Sequence, residues 1–234
     1  MSGRWDSIRV TEGDMRCYIG RPNAGRSPAV IVAQHAGGVD DFICGMCDRF
    51  AEAGLVAVAP DLYYREGPGS ADDPMTRMGR LRDDQIVRDI DSAVAHAKAL
   101  GEVDGERLGV TGFCMGGRVA YLMAASSSAF SAAIVFWGGN IMNAWGDGPA
   151  PFELTDRISC PVLGIFGADD PNPNRTDVAK IDAEMTRFGK AHEFHSYPGA
   201  SHAFMNERRP SYRPEAAADA WRRSVEWFDR YLKR

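Results

Sequence analysis

Of the five cysteines in the chain, Cys114 stands where a thiol could act as a nucleophile. It lies in Gly112-Phe113-Cys114-Met115-Gly116-Gly117, directly after the apolar run Leu108 to Thr111 and directly before the helix-like run Arg118 to Ala125. A Gly-x-nucleophile-x-Gly turn between strand and helix lifts one side chain off the end of a sheet. Glycines without a Cβ let strand and helix approach closely around it. The positive end of the following helix favours a thiolate there, and the free backbone amides can receive an oxyanion. The alternative for Cys114 is a small buried apolar residue in a Gly-rich turn.

Two later segments supply an acid and a base. The apolar run Val162 to Phe166 ends in Gly167-Ala168-Asp169-Asp170-Pro171, and the run Glu193 to Tyr197 is followed by Pro198-Gly199-Ala200-Ser201-His202-Ala203-Phe204. Each places its polar group just past the carboxyl end of a predicted strand, where open α/β sheets gather ligands. His202 can take the thiol proton and return it to a leaving oxygen, while a carboxylate fixes its tautomer and stabilises the imidazolium. Asp169 and Asp170 compete for that carboxylate role. Asp170 is taken for it, with Asp169 as a solvated or helix-capping group.

These residues need a scaffold, and the remaining pattern provides one. Short apolar runs alternate with amphipathic stretches, and the candidate core strands are Ala29 to Ala33, Leu55 to Ala59, Leu108 to Thr111, Ala132 to Phe136, Val162 to Phe166 and Glu193 to Tyr197. That alternation predicts an α/β fold, a mostly parallel sheet with helices on both faces. Ile86, Val87, Ile90, Val94 and Ala97 recur at helical spacing between Asp83 and Leu100. A last helix near Pro214 carries Trp221, Val225, Phe228 and Leu232 as its apolar stripe, while Gly67 to Pro74 and Gly146 to Pro151 read as loops. No repeat or linker divides the chain, so residues 1–234 are expected to form one domain.

Composition narrows the partners. A hydrophobic content of 44%, a charged content of 25% and a net charge of −5 leave no basic excess to neutralise phosphates or hold a membrane surface. A small molecule is therefore the expected partner, rather than nucleic acid or membrane. The charged stretch Met1 to Val10 lacks the apolar core of a signal peptide, and scattered cysteines in odd number point to reduced thiols, so a cytoplasmic location is expected. Cys44-Gly45-Met46-Cys47 has redox or half-zinc spacing, but no second pair matches it, and a structural role on a helix opening near Asp40 or Asp41 is expected.

The order nucleophile, acid, histidine is that of an α/β-hydrolase. With it, the chain resembles the dienelactone hydrolase family over nearly its whole length. The resemblance rests on Gln34 and the loop to Val39, Pro60-Asp61-Leu62-Tyr63, Gly112 to Gly117, Gly167 to Pro171 and Pro198 to Phe204. It implies an α/β-hydrolase fold and hydrolysis of an ester or lactone through a thioester, without metal or organic cofactor. It places the family's Cys, Asp and His on Cys114, Asp170 and His202. The backbone N–H groups of Ala36 and Met115 become the oxyanion donors.

Two departures bear on the substrate. The family's Gln-Glu-x-x-Gly is here Gln34-His35-Ala36-Gly37-Gly38, so His35 replaces a carboxylate that helps control the resting thiol. The family's substrate-binding Arg past the catalytic His falls on Asn206, whereas its other carboxylate-binding Arg falls on Arg80, with Arg77 and Arg82 as alternatives. Trp137 and Trp145 are candidates to wall the substrate pocket. The competing functional classes are a ligand-binding protein that kept the fold without turnover and a thiol-based redox protein. Cys114, Asp170 and His202 together argue against both.

Overall fold

The computed structural model describes residues 3–23, 25–67 and 70–233. Strands β1 (Arg4–Val10), β2 (Gly13–Gly20), β3 (Ser27–Ala33), β4 (Val56–Pro60), β5 (Val103–Phe113), β6 (Ala132–Phe136), β7 (Val162–Gly167) and β8 (His192–Tyr197) form one sheet. Its order is β1-β2-β4-β3-β5-β6-β7-β8. β2 pairs antiparallel with β1 and β4, and every pairing from β4 through β8 is parallel. β3, β4, β6 and β7 are buried at every position. Such runs are expected where helices cover both faces of a parallel sheet.

Helices α1 (Asp41–Glu52), α2 (Pro74–Met78), α3 (Asp83–Ala99), α4 (Met115–Ser126), α5 (Arg175–Arg187) and α6 (Pro214–Leu232) complete the fold. One core layer joins Ile86 and Ile90 of α3, Val119 of α4 and Met185 of α5 to the sheet, and the other joins Phe50 of α1 and Phe228 of α6. α4 is buried from Met115 to Ala125, as befits a helix lying between the sheet and its neighbours. Asp40 caps α1, its Oδ1 accepting from the N–H groups of Phe42 and Ile43. α6 docks Phe228 and Leu232 as expected, but its buried face runs through Ala217, Ala220, Ser224 and Trp227, leaving Trp221 and Val225 half-buried.

Pro74 opens a helix, with Asp73 as its cap, rather than closing a loop, and Pro151 opens a 3₁₀ segment. Pro68 and Gly69 of the expected loop lie outside the described residues. The parallel strands all run the same way, so the turns after β3, β4, β5, β6, β7 and β8 meet along one edge. Among the described residues no helix is long and apolar enough to cross a membrane.

Candidate active site

β5 feeds Cys114 into a turn that only a constrained backbone can hold. Cys114 has φ 59° and ψ −116°, a conformation that costs a non-glycine residue roughly 1–3 kcal/mol. Its N–H donates to Phe136 O at 3.0 Å, and its carbonyl accepts from Arg118 N at 3.2 Å. A Cβ on Gly112 would sit 2.1 Å from Gly116 O, and one on Gly116 would sit 2.1 Å from Ala33 O. Strand, helix and the neighbouring strand end thus meet at backbone distance, which explains the glycines of the motif.

The turns after β7 and β8 bring Asp170 and His202 together. The Asp170 side chain is 1% exposed, and its Oδ2 accepts from His202 Nδ1 at 2.7 Å. Its Oδ1 accepts from Asn172 N at 2.8 Å, which fixes the carboxylate from the far side. Asp169 turns outward to Arg175 at 3.0 Å, half exposed. The adjacent carboxylates therefore occupy opposite environments, and Asp170 is the one that meets the histidine.

His202 and Cys114 perturb each other. Burial alone would push the Cys114 thiol up, but its bond to His202 and the backbone N–H groups of Met115 and Ala36 outweigh that and lower it from the ordinary thiol value. Burial alone would likewise lower His202, but Asp170 and the Cys114 sulfur raise it to about 10. Both directions favour a thiolate beside an imidazolium.

The loop carrying Ala36 is a tight turn closed by Gly38 N donating to His35 O at 2.9 Å. His35 Nδ1 accepts from Gly37 N at 3.1 Å, and its Nε2 lies 2.9 Å from Asp40 Oδ2. The ring is thereby held through Nδ1 within the loop, with Nε2 facing the carboxylate that caps α1. The main influences on the Cys114 thiol are burial, His202, Met115 and Ala36, and the loop histidine lines the same cavity.

Cys114 and His202 open into a cavity of about 300 Å³. Phe42, Phe113, Trp137 and Met75 make it largely apolar, and His35, Asn206 and Arg209 add polar edges. Trp137 is 1% exposed, with its ring centroid 6.4 Å from that of His202. Arg80 is not part of this wall, because Glu66 at 3.2 Å and Asp72 at 2.6 Å hold it elsewhere. Arg77 is paired with Glu66 and Arg82 with Asp147, so neither alternative reaches the cavity. Trp145 stacks on Arg118 at 3.9 Å instead of lining the pocket.

Sequence reasoning passed over Phe42, Met75 and Arg209. Arg209, seven positions beyond His202 on the same connection, had the clearest signal. Its neighbour Arg208 is paired with Asp41, whereas Arg209 forms no ion pair among the described residues. Cys44 and Cys47 both lie on α1, and burial pushes the Cys44 thiol up to about 11, against a reactive role.

The dienelactone hydrolase family profile matches residues 15–232. A Methylorubrum extorquens protein described as "Putative carboxymethylenebutenolidase" is 35% identical over 96% of this chain and 79% of its own length. A Bradyrhizobium protein described as "Probable 2-oxo-3-(5-oxofuran-2-ylidene)propanoate lactonase" is 32% identical over 92% of this chain and 89% of its own. A solved Klebsiella pneumoniae structure described as "Putative Dienelactone Hydrolase" superposes with a TM-score of 0.91 at 33% identity, covering 98% of both chains. The chain has the α/β-hydrolase fold and belongs to the dienelactone hydrolase family.

Proposed function

We propose that the protein is a carboxylic ester or lactone hydrolase that works through a thioester on Cys114, with His202 as acid and base and Asp170 as its orienting carboxylate. The observation that carries this reading is the 2.7 Å Asp170–His202 pair standing behind a thiol whose position favours the thiolate. The thiolate attacks the carbonyl carbon, forming the C–S bond and moving the carbonyl electron pair onto oxygen. The amides of Ala36 and Met115 receive that charge. Collapse expels the alkoxide, which takes the proton held by His202. His202 then accepts a proton from water as the hydroxide adds to the thioester, and the thiolate leaves with its electron pair.

The route asks for no metal or organic cofactor, and the whole chain acts as one domain. Five free thiols suit a reducing, cytoplasmic setting. Mass spectrometry of the protein mixed with an activated ester should find the acyl group on the peptide containing Cys114. Steady turnover that survives complete alkylation of Cys114 would sink the proposal.

The cavity also shapes the substrate reading. An apolar chamber with one guanidinium at its edge suits a compact ester or unsaturated lactone bearing a carboxylate, the charge meeting Arg209. Arg209 is exposed, so its contribution is screened. Arg209→Ala should raise KM for a carboxylate-bearing lactone about fivefold, the scale of one exposed ion pair, while a neutral ester is little affected. Equal changes for both substrates would remove Arg209 from recognition.

A further inference from the structure

Tyr63 follows β4 in the turn Asp61-Leu62-Tyr63, behind the Ala36 loop. Its phenol O–H donates to Ala36 O at 3.0 Å and lies 3.5 Å from Met115 Sδ. One hydroxyl thus touches both Ala36 and Met115, the two residues whose backbone N–H groups are read as the oxyanion donors and lower the Cys114 thiol. The turn is itself fastened to the same loop, because Leu62 N donates to Gln34 Oε1 at 3.1 Å, and it is stiffened from within by Tyr63 N donating to Asp61 Oδ1 at 3.0 Å. Gln34 is fully buried, so this second attachment is internal.

Tyr63 is 2% exposed, and the Arg77 guanidinium covers its ring at 4.1 Å. It does not line the cavity that holds Cys114 and His202. Burial pushes the phenol well above its ordinary value, so it serves as a donor and not as a base. The segment it grips needs a grip. Ala36 is followed by Gly37 and by Gly38 at φ 91°, a sequence in which peptide units rotate easily.

We infer that Tyr63 is a positioning residue of the oxyanion site: by holding the Ala36 carbonyl, it keeps the Ala36 N–H aimed at the reacting centre. This role rests on the reading of Cys114 as nucleophile and Ala36 N–H as donor. Removing one oxyanion donor outright costs about 10²–10³ in kcat, and loosening it costs part of that.

Tyr63→Phe deletes one oxygen and keeps the ring under Arg77, so the variant retains its packing. With an activated ester, kcat should fall about ten- to a hundredfold while KM stays within about twofold of native. The pH midpoint for iodoacetamide alkylation of Cys114 should rise, because the Ala36 N–H also stabilises the resting thiolate. An unchanged kcat or an unmoved midpoint overturns the assignment. Cys114→Ala measured alongside separates the two readings. Turnover in Cys114→Ala would refute the nucleophile itself, whereas a silent Cys114→Ala beside a native-like Tyr63→Phe removes only the role of Tyr63.

Discussion

Cys114→Ala should lower ester turnover by about 10⁴-fold or more, and His202→Ala by a comparable factor, because groups acting as one nucleophilic unit fail together. On the proposed mechanism alanine removes the atom that forms the acyl bond, while the turn, the Ala36 loop and the cavity stay in place. Asp170→Asn should rank close behind. An amide facing His202 Nδ1 at 2.7 Å can favour the wrong tautomer and cannot stabilise the imidazolium. Asp169→Asn should be near native, since its carboxylate reaches only Arg175 at the surface. The measurement is kcat/KM for an activated ester, with circular dichroism confirming the fold of each variant. Near-native turnover in Cys114→Ala refutes the mechanism, and a reversed ranking of the aspartates transfers the orienting role to Asp169.

The second large effect concerns stability. Arg118 is fully buried one turn beyond Cys114, and its guanidinium donates to Asp83 Oδ1 at 2.5 Å and Oδ2 at 2.9 Å. It also donates to the carbonyls of Asn140 at 3.1 Å and Asn143 at 2.6 Å, beneath the Trp145 ring. The group thereby ties α4 to the start of α3 and to the loop after β6. Arg118→Met would leave the Asp83 carboxylate in the interior with the backbone N–H of Trp145 as its remaining partner, at 2.8 Å. Breaking a buried pair in this way typically destabilises by about 3–5 kcal/mol. Urea denaturation should register that loss, and the double variant Arg118→Met/Asp83→Leu should recover much of it, since no unpaired charge remains. A single variant within about 0.5 kcal/mol of native would show that the network contributes little.

Much of this architecture is legible in the sequence because the central strands are buried on both faces and appear as short uninterrupted apolar runs. β1 is not legible in that way. Arg4-Trp5-Asp6-Ser7 is exposed at the sheet edge, and pairing with β2 rather than any apolar pattern makes it a strand. α5 escaped for a related reason, since Ile181 and Met185 are its only buried residues. The Cys114 turn is readable because its glycines answer to backbone crowding within one short segment. The arginines are not. Glu66, in a 3₁₀ turn after β4, captures both Arg77 and Arg80, and the loop past His202 delivers Arg209 instead. Long charged side chains follow whichever carboxylate the loops bring near, and spacing along the chain does not encode that.

The position of β8 has a consequence for how the protein would fail on warming. β8 is bonded to the sheet on one side only, through β7, and its residues are half-buried or exposed, whereas the strand that precedes Cys114 sits at the centre. The turn bearing His202 hangs from that border strand. Border elements open with a smaller free energy than the centre, so partial melting there would detach His202 from Asp170 and Cys114 while most of the core stays intact. Heat would silence the enzyme before it unfolds it, and the loss would be reversible on cooling as long as the centre of the sheet remained closed.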